Sequence, residues 1–408
     1  MKVLHIVGGE LTGGAARGAY WLHEGLLSLG VDSKILSNTE ETFGDNSVSS
    51  ISATRKEKIC NFIRSRFDQF PALFYLKRKR IIFSTSSTGF DFRKHPLFDW
   101  ADIIHLHWIN QGMVNIKHLS SIKKPMIWTM RDMWPFTGGC HYSYQCTNYE
   151  LDCGFCRQLN SNHGFDLSRI VHRRKKKYIP RHVVLVGISH WLSECARNSS
   201  LFHEFRILTI PNCVNTSHFY PVEKEIARDK LGIPKNKRVI LAGALNINDY
   251  YKGFDKLLES IPQITTENLH FLFFGNINSD ILDKLETEYT SLGYINNDDL
   301  LRVVYSAADV FIAPSMIEAF GKTLAESMAC GTPVVCFNTT GPKDIVDHMK
   351  NGYLATPFSS SSLAEGIDWV LNHEDCQEIS QNARNKIMEK FSATVVSCQY
   401  LGLYNELI

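Results

Sequence analysis

The stretch from Asp309 to Pro342, DVFIAPSMIEAFGKTLAESMACGTPVVCFNTTGP, decides the fold of the second half of the chain. Its apolar run Val310 to Ile312 predicts a buried strand. A polar loop with Glu318 follows, and a helix begins near Gly321 and ends before a second apolar strand, PVVCF. Strand, loop, helix and strand form a βαβ unit. Ligands bind such units at the carboxyl ends of the strands.

Two carboxylates lie beside a candidate anion site in this unit. Glu318 is in the loop at the end of the first strand, and Glu326 is inside the helix. The backbone N–H groups of Phe320, Gly321 and Lys322 would face a phosphate placed at the start of the helix, where the helix dipole favours negative charge. Carboxylates beside an anion site suit a ligand that is rich in hydroxyls and phosphate. A sugar nucleotide fits that description.

The sequence here resembles a known enzyme family. Glu318-Ala-Phe-Gly, followed by Glu326-Ser-Met-Ala-Cys-Gly-Thr-Pro-Val-Val, is similar to the paired-glutamate motif of family 4 retaining glycosyltransferases. The resemblance implies the GT-B fold, an α/β architecture with two Rossmann-like domains facing each other across a cleft. It also implies that Glu318 binds hydroxyls of the transferred sugar and Glu326 those of the ribose. The alternative is a buried helix with one solvated and one salt-bridged glutamate.

Length and composition predict a soluble protein of two domains. The chain has 408 residues, too many for one ordinary core. We expect an acceptor-side Rossmann-like domain over 1–215 and a nucleotide-sugar-binding one over 216–392. By resemblance, a last helix over 393–408 crosses back to the first domain. No apolar run is long enough to cross a bilayer, and the start MKVLHIVGG is unlike a signal peptide.

Charge is divided unevenly between the two halves. Residues 1–215 carry 28 Lys and Arg against 17 Asp and Glu, whereas the whole chain has a net charge of +2. A basic first half predicts an anionic partner. A membrane surface and a lipid pyrophosphate both fit, and nucleic acid is disfavoured because no recognition module accompanies the charge. Eleven cysteines without a secretory signal favour the cytoplasm, and the sequence predicts a peripheral location on the inner face of the cell membrane.

The first half contains three candidate binding positions. A glycine loop with Gly13 and Gly14 follows the first strand, and Arg17 could reach an anion held there. His107 ends a strand, IIHLH, and by resemblance faces the donor sugar; the alternative is a hydrogen-bonded strand-end histidine. Arg131 and Asp132 follow the next strand on the acceptor side. There the family usually has His-Asp, and arginine cannot act as a base at neutral pH.

A cysteine-rich insert is predicted over 138–158. Cys140, Cys146, Cys153 and Cys156 lie within seventeen residues and end in Cys-x-x-Cys, which is typical of a structural zinc site. His141 is a further candidate ligand. The wide first gap leaves four reduced, unmetallated thiols as the alternative.

Two basic segments favour contact with anionic lipid. Residues 55–81 interleave Lys and Arg with aromatic side chains, as in an interfacial helix, although a solvated helix with a buried aromatic face has the same pattern. The run Arg173 to Lys177 is the densest in charge. It could meet lipid head groups or the pyrophosphate of a lipid-linked acceptor, or be a solvated helix face.

In the second half, Lys252 precedes Gly253 and a helix, as in the family's Lys-Gly loop, and suits a diphosphate as a point charge. Ala244 stands where the family has a phosphate-binding arginine. Tyr294 and Ile295 resemble the loop that holds the nucleotide base. The sequence lacks Asp-x-Asp, so no metal is expected in catalysis and no cofactor is required beyond a structural zinc.

Together with these features, the resemblance implies a retaining glycosyltransferase in which Lys252, Glu318 and His107 are catalytic. The donor would be a UDP- or GDP-sugar and the acceptor a glycan or lipid-linked saccharide of a surface polysaccharide. The alternatives are a sugar-nucleotide epimerase, a phosphorylase with the same architecture, and a non-catalytic membrane-binding protein.

Overall fold

The chain divides into two compact units. The computed structural model describes residues 1–408 except 10, 12, 40–43, 80, 248, 279–281, 283 and 284. Glu10 and Thr12 of the glycine loop and Arg80 of the basic segment therefore lie outside the described residues. The first unit comprises Met1–Pro211 and Val396–Ile408, and the second comprises Asn212–Val395.

The first unit is built on a seven-stranded parallel sheet in the order β3-β2-β1-β4-β5-β6-β7. The strands are β1 (Lys2–Val7), β2 (Asp32–Ser37), β3 (Val48–Ser50), β4 (Ile103–Leu106), β5 (Met126–Met130), β6 (Val184–Gly187) and β7 (Ile207–Thr209). Its helices are α1 (Gly14–Ser28), α2 (Arg55–Leu73), α3 (Pro96–Trp100), α4 (Leu167–Tyr178) and α5 (His190–Asn198).

Strands β1 and β4 are mostly apolar, as expected of central strands of a parallel sheet covered on both faces, but each contains one buried histidine, His5 and His105. Helix α1 covers the sheet with Trp21, Leu22 and Leu26, and its buried His23 is held between Ser33 Oγ and Ser47 Oγ, each 2.7 Å from a ring nitrogen. Ser189 is the N-cap of α5, because its hydroxyl accepts the Leu192 N–H.

The second unit has a six-stranded parallel sheet in the order β10-β9-β8-β11-β12-β13. The strands are β8 (Arg238–Asn246), β9 (Leu269–Asn276), β10 (Tyr289–Ser291), β11 (Val310–Ala313), β12 (Val334–Phe337) and β13 (Gly352–Ala355). The helices are α6 (Lys224–Leu231), α7 (Phe254–Ser260), α8 (Asp298–Ala307), α9 (Lys322–Ala329), α10 (Ser360–Leu371) and α11 (Cys376–Lys390).

The predicted βαβ unit is present in the second unit. Strands β11 and β12 pair in parallel, with Phe311 opposite Val334, and α9 connects them. The helix is one residue shorter at its start than the prediction, because Gly321 has a left-handed backbone and serves as its N-cap. The order of both sheets reverses beside the first strand, which is the arrangement of doubly wound folds.

The last helix, α12 (Ala393–Leu407), brings the end of the chain to the first unit. The Tyr404 hydroxyl is 2.7 Å from His105 Nδ1, and the Tyr400 hydroxyl is 2.7 Å from Thr129 Oγ1. His105 Nε2 also contacts Thr129 Oγ1, at 2.7 Å. The first unit is therefore completed by residues that follow the second unit in sequence.

The predicted fold class, α/β with two Rossmann-like domains of GT-B type, is confirmed. No helix in the described part of the chain is both long enough and apolar enough to cross a membrane.

Candidate active site

An open pocket lies at the carboxyl ends of β8 and β11, where the strand order of the second sheet reverses. This is the position at which open α/β sheets bind ligands. The residues that line it come from the two strand ends and the loops that follow them: Ala242, Gly243, Ala244, Ile247, Lys252, Phe254, Ile312, Ala313, Pro314, Ser315, Glu318 and Thr323.

Lys252 and Glu318 form an ion pair in this pocket. Lys252 ends a 3₁₀ turn, Tyr250–Lys252, and its Nζ donates to Glu318 Oε1. Ser315 Oγ donates to the same oxygen, at 3.2 Å. Both charged side chains remain partly exposed, so a ligand can reach them. The pair places one cation and one hydrogen-bond acceptor side by side.

Backbone contacts bring the two loops together. The Met316 N–H donates to the Tyr251 carbonyl at 2.8 Å. Gly253 has φ of 64°, and a Cβ built on it would lie 2.0 Å from the carbonyl oxygen of Pro314. Only glycine fits there. The Lys-Gly pair in the sequence therefore fixes the loop of Lys252 against the end of β11.

The N-terminus of α9 lies next to this pair. Gly321 gives the helix no side-chain cap, and the first turn contains no acidic residue. Thr323 of that turn lines the pocket. The preceding loop is held in place because the Glu318 N–H donates to Thr340 Oγ1 at 3.1 Å and the Gly341 N–H donates to the Glu318 carbonyl at 2.9 Å. Uncapped N–H groups and the helix dipole favour a phosphate here.

Glu326 lies deeper than Glu318. Its side chain is 1% exposed, the Tyr305 hydroxyl donates to its Oε2 at 3.0 Å, and Lys322 Nζ lies 3.0 Å from its Oε1. Lys322 and Glu326 do not line the pocket as it is shaped here. Binding of ribose by Glu326 stays a prediction, and it requires the ligand to reach a carboxylate that is almost fully buried.

The other residues predicted on this unit do not line the pocket. Tyr294 is exposed, Ile295 is buried, and the Phe320 ring packs on Phe391 with 5.7 Å between centroids. Ala244, where the family has arginine, lines the pocket itself. Sequence reasoning did not find Ser315, Thr323 or Thr340, because isolated hydroxyl residues in loops give no spacing signal.

In the first unit, Gly13 and Gly14 are exposed at the start of α1, where Gly13 is the N-cap without a side-chain cap. The Arg17 guanidinium lies over the Trp21 ring, 5.1 Å from its centroid. A Cβ on Gly14 would meet no atom within 4 Å, so protein packing does not require glycine at that position.

His107 is buried within a chain of hydrogen bonds. Arg131 Nη2 lies 3.2 Å from His107 Nδ1, and His107 Nε2 lies 2.9 Å from His5 Nδ1. Because a guanidinium only donates, the neutral His107 carries its proton on Nε2 and donates it to His5. The remaining N–H of His5 is buried without a hydrogen-bond partner. That His107 faces the donor sugar stays a prediction.

His5, His105 and His107 are the one group in the described residues whose potential metal-ligating atoms all lie within 4.8 Å of one another. Burial is the main cause that holds the pKa of all three imidazoles well below its ordinary value, and the Arg131 guanidinium adds to the effect. Neutral rings suit a metal. The guanidinium beside His107 and the two hydrogen bonds of His105 oppose one, so we interpret this group as a structural network.

Asp132 has a histidine partner that the motif comparison missed. Its Oδ2 accepts from His141 Nδ1 at 2.6 Å and from Trp108 Nε1 at 2.9 Å. His141 Nε2 in turn lies 2.9 Å from Ser84 Oγ. The insert thus places a histidine beside Asp132. Ser84 is fully buried, so it cannot reach a substrate as a nucleophile.

The four insert cysteines are free thiols near one another. Burial raises the pKa of Cys153 to about 12 and raises the pKa of Cys140 and Cys156 as well, with neighbouring thiols contributing to each. No three of the four have their sulfur atoms all within 4.8 Å of one another. Zinc binding by this cluster stays a prediction.

The basic run on α4 is only partly a surface feature. Lys175 is buried, lies 3.6 Å from the Trp134 ring centroid, and donates to the Thr137 carbonyl at 2.9 Å. Arg174 Nη2 donates to Asn115 Oδ1 at 3.1 Å. These two cations hold the helix on the unit, which leaves Arg173, Lys176 and Lys177 for other partners.

Parts of the chain are similar in sequence to known glycosyltransferases. Residues 223–386 match the family model "Glycosyl transferases group 1". The match covers the greater part of the second unit, Asn212–Val395. An uncharacterized glycosyltransferase of Methanocaldococcus jannaschii is 28% identical over 326 residues, which is 75% of each chain. The capsular polysaccharide biosynthesis glycosyltransferase CapM of Staphylococcus aureus is 28% identical over 167 residues, 38% of this chain and 43% of that protein.

Solved structures agree with the fold over the whole chain, residues 223–386 included. Sucrose-phosphate synthase from Thermosynechococcus elongatus superposes with a TM-score of 0.69 at 20% identity, covering 100% of this chain and 99% of that one. HepE of Anabaena, solved in complex with UDP-glucose, gives 0.65 at 16% identity and covers 100% of both chains.

Proposed function

We propose that this chain is a retaining glycosyltransferase that moves a sugar from a nucleoside diphosphate to a hydroxyl of a glycan or lipid-linked saccharide. The observation that carries the proposal is the Lys252–Glu318 pair beside the uncapped N-terminus of α9, in the pocket where the strand order reverses. The group 1 match supports the transfer of a sugar. The relative CapM and the UDP-glucose complex of HepE support a surface-polysaccharide role and a UDP-sugar donor.

In this proposal Lys252 and α9 receive the diphosphate. As the bond between the anomeric carbon and the phosphate oxygen breaks, its electron pair goes to the diphosphate, and negative charge develops there. A fixed ammonium and helix N–H groups stabilise that charge more than they stabilise the intact donor. The acceptor oxygen bonds to the anomeric carbon on the same face, and its proton passes to the departing phosphate oxygen.

In the proposal Glu318 pairs with Lys252 before the donor binds and with the sugar hydroxyls afterwards. Without ligand it neutralises Lys252. A bound diphosphate competes for that lysine, which frees the carboxylate to accept hydrogen bonds from the sugar hydroxyls. The ion pair therefore keeps both groups oriented before the donor arrives.

The test is a panel of UDP-, GDP- and ADP-sugars, assayed first for thermal stabilisation and then for donor hydrolysis and transfer. We expect one sugar class to stabilise the protein and to be turned over. No stabilisation by any member would contradict the proposal. Product analysis with and without acceptor separates transfer from epimerisation and phosphorolysis.

Replacing Lys252 by Ala sharpens this test. We expect the turnover number to fall about 100-fold, with a smaller change in nucleotide affinity, since the charge on the leaving group grows in the transition state. Lys256→Ala is the matched control, because Lys256 is a nearby lysine whose ion pair with Glu259 lies on the surface. Unchanged turnover in Lys252→Ala would remove Lys252 from the mechanism.

A further inference from the structure

Helix α2 packs on the first unit with its apolar side turned outward. Ile59, Phe62, Ile63, Phe67, Phe70 and Leu73 are all exposed, by 46% to 60%. At 100° per residue these positions fall on one stripe along the helix. The buried positions of the same helix are Asp68 and Ala72. This is the reverse of the ordinary amphipathic helix, which turns its apolar stripe to the core.

The inner face of α2 is held by polar contacts. Asp68 accepts from Thr85 Oγ1 at 2.9 Å and from the Ser87 N–H at 2.8 Å. The Thr88 hydroxyl donates to the Arg64 carbonyl at 2.7 Å. A Cβ on Gly112 would lie 2.7 Å from the Ser65 nitrogen, so the chain runs close against this face. These contacts fix the orientation in which the aromatic stripe is exposed.

The stripe continues beyond the helix, where Phe74 is 73% exposed and Leu76 93%. The rings form a connected row, with centroids 6.3 Å apart for Phe67 and Phe70 and 5.3 Å apart for Phe70 and Phe74. A contiguous exposed apolar row of this kind is uncommon on a soluble surface and marks a site of interaction.

The exposed charges along this segment are almost all positive. Arg55, Lys56, Lys58, Arg66, Lys77 and Lys79 are exposed, and Arg66 lies over the Phe62 ring at 5.0 Å. Of the two acidic residues between 55 and 79, Asp68 is buried, and Glu57 accepts from the Thr54 N–H and hydroxyl as part of the capping box. A row of aromatic side chains flanked by cations is complementary to an anionic bilayer surface.

We propose that the outward face of α2, continued by Phe74 and Leu76, is a docking surface for anionic lipid. The rings enter the boundary between head groups and acyl chains, and the flanking Lys and Arg contact the phosphates. An apolar row flanked by one sign of charge fits a lipid surface better than a second copy of this chain, because two such faces would bring like charges together.

The experiment is sedimentation of the full chain with vesicles, without nucleotide sugar or acceptor, so its result does not depend on the proposed transferase activity. One vesicle is pure phosphatidylcholine, and the other contains about one-third phosphatidylglycerol. We expect binding to the anionic vesicle, weakened by salt. Phe67→Gln with Phe70→Gln should lower the partition coefficient at least about tenfold, since two half-exposed aromatic side chains are lost from the apolar contact.

The control is Ile226→Gln with Met388→Gln, which removes two exposed apolar residues from α6 and α11 of the second unit. It should bind vesicles like the unchanged protein. A second variant, Lys56→Gln with Arg66→Gln and Lys77→Gln, keeps the rings and should lose binding by about fivefold per charge. It also keeps the proposal testable if the aromatic variant fails to give a native far-ultraviolet spectrum.

Three results would overturn the proposal. One is that the protein binds neither vesicle. Another is that the aromatic variant and its control bind the anionic vesicle equally well. The third is a concentration-dependent dimer that Phe67→Gln with Phe70→Gln converts to monomer, which would assign the face to a second copy.

Discussion

At the scale of single residues, the chemistry of a side chain was easier to predict than its surroundings. Lys252 and Glu318 were found from their motifs, and the structure brings them into contact. Glu326 and His107 come from motifs that are as well formed, yet both are buried. A motif records which residue stands at a position. It does not record which neighbours compete for that residue, as Tyr305 does for Glu326 and Arg131 for His107.

The cysteines give a prediction at this scale. If the four insert thiols hold zinc, purified protein should contain about one equivalent, and Cys153→Ser with Cys156→Ser should lose it together with several kcal/mol of stability. Metal analysis after dialysis measures this. Cys60→Ser with Cys376→Ser, two exposed cysteines outside the insert, is the control. Less than half an equivalent in the unchanged protein would mean four reduced thiols.

At the scale of elements, periodicity predicted some strands and helices to within a residue or two. Strand β11 and helix α9 are examples, because long apolar runs and glycine caps are local signals. The sequence left α2 open between an interfacial helix and one with a buried aromatic face. Its aromatic stripe fits both orientations, and only the polar anchors of Asp68 decide between them. The groups that bind Asp68 belong to Thr85 and Ser87, which lie about twenty residues later in the sequence.

The buried His23 of helix α1 should make the stability of the first unit depend on pH. Burial lowers the pKa of His23 from 6.5 to about 4, although Asp45 opposes the shift. Between these two values the unfolded chain binds the proton and the folded one does not, so stability falls as pH falls through that window. The loss should reach roughly 3 kcal/mol.

Urea unfolding at a series of pH values tests this dependence. His23→Gln can still bond Ser33 and Ser47 but does not titrate, so its stability should depend less on pH between 6.5 and 4. Equal pH slopes for the two proteins would show that His23 is not the titrating group.

At the scale of the whole molecule, the resemblance covered nearly the full chain, and the agreement with solved structures extends over all of it. The resemblance does not reveal which residues form hydrogen bonds with the last helix. Tyr400 and Tyr404 look like ordinary core residues in the sequence. In the structure the Tyr400 hydroxyl forms a hydrogen bond with Thr129, and the Tyr404 hydroxyl forms one with His105. Both partners lie more than 270 residues earlier in the sequence.

The last helix therefore contributes stability to the first unit. Tyr404→Phe keeps the ring but leaves His105 Nδ1 buried without its partner, which should cost about 1 to 3 kcal/mol. Urea unfolding followed by a probe in each unit should show the loss in the first unit alone. Tyr220→Phe, a partly exposed tyrosine of the second unit, is the control. A loss confined to the second unit would contradict this assignment.

The return of α12 to the first unit also sets an order of events during synthesis. The ribosome makes Met1–Pro211 first, but the residues that complete that unit, Val396–Ile408, emerge only after the whole of Asn212–Val395. The second unit can finish folding while the first still lacks its final helix. Of the two units, the one whose translation starts first is thus the last to be completed. Until α12 has been made, His105 and Thr129 lack the tyrosine hydroxyls that form hydrogen bonds with them. At that stage the uncovered surface of the first unit is one to which a chaperone can bind.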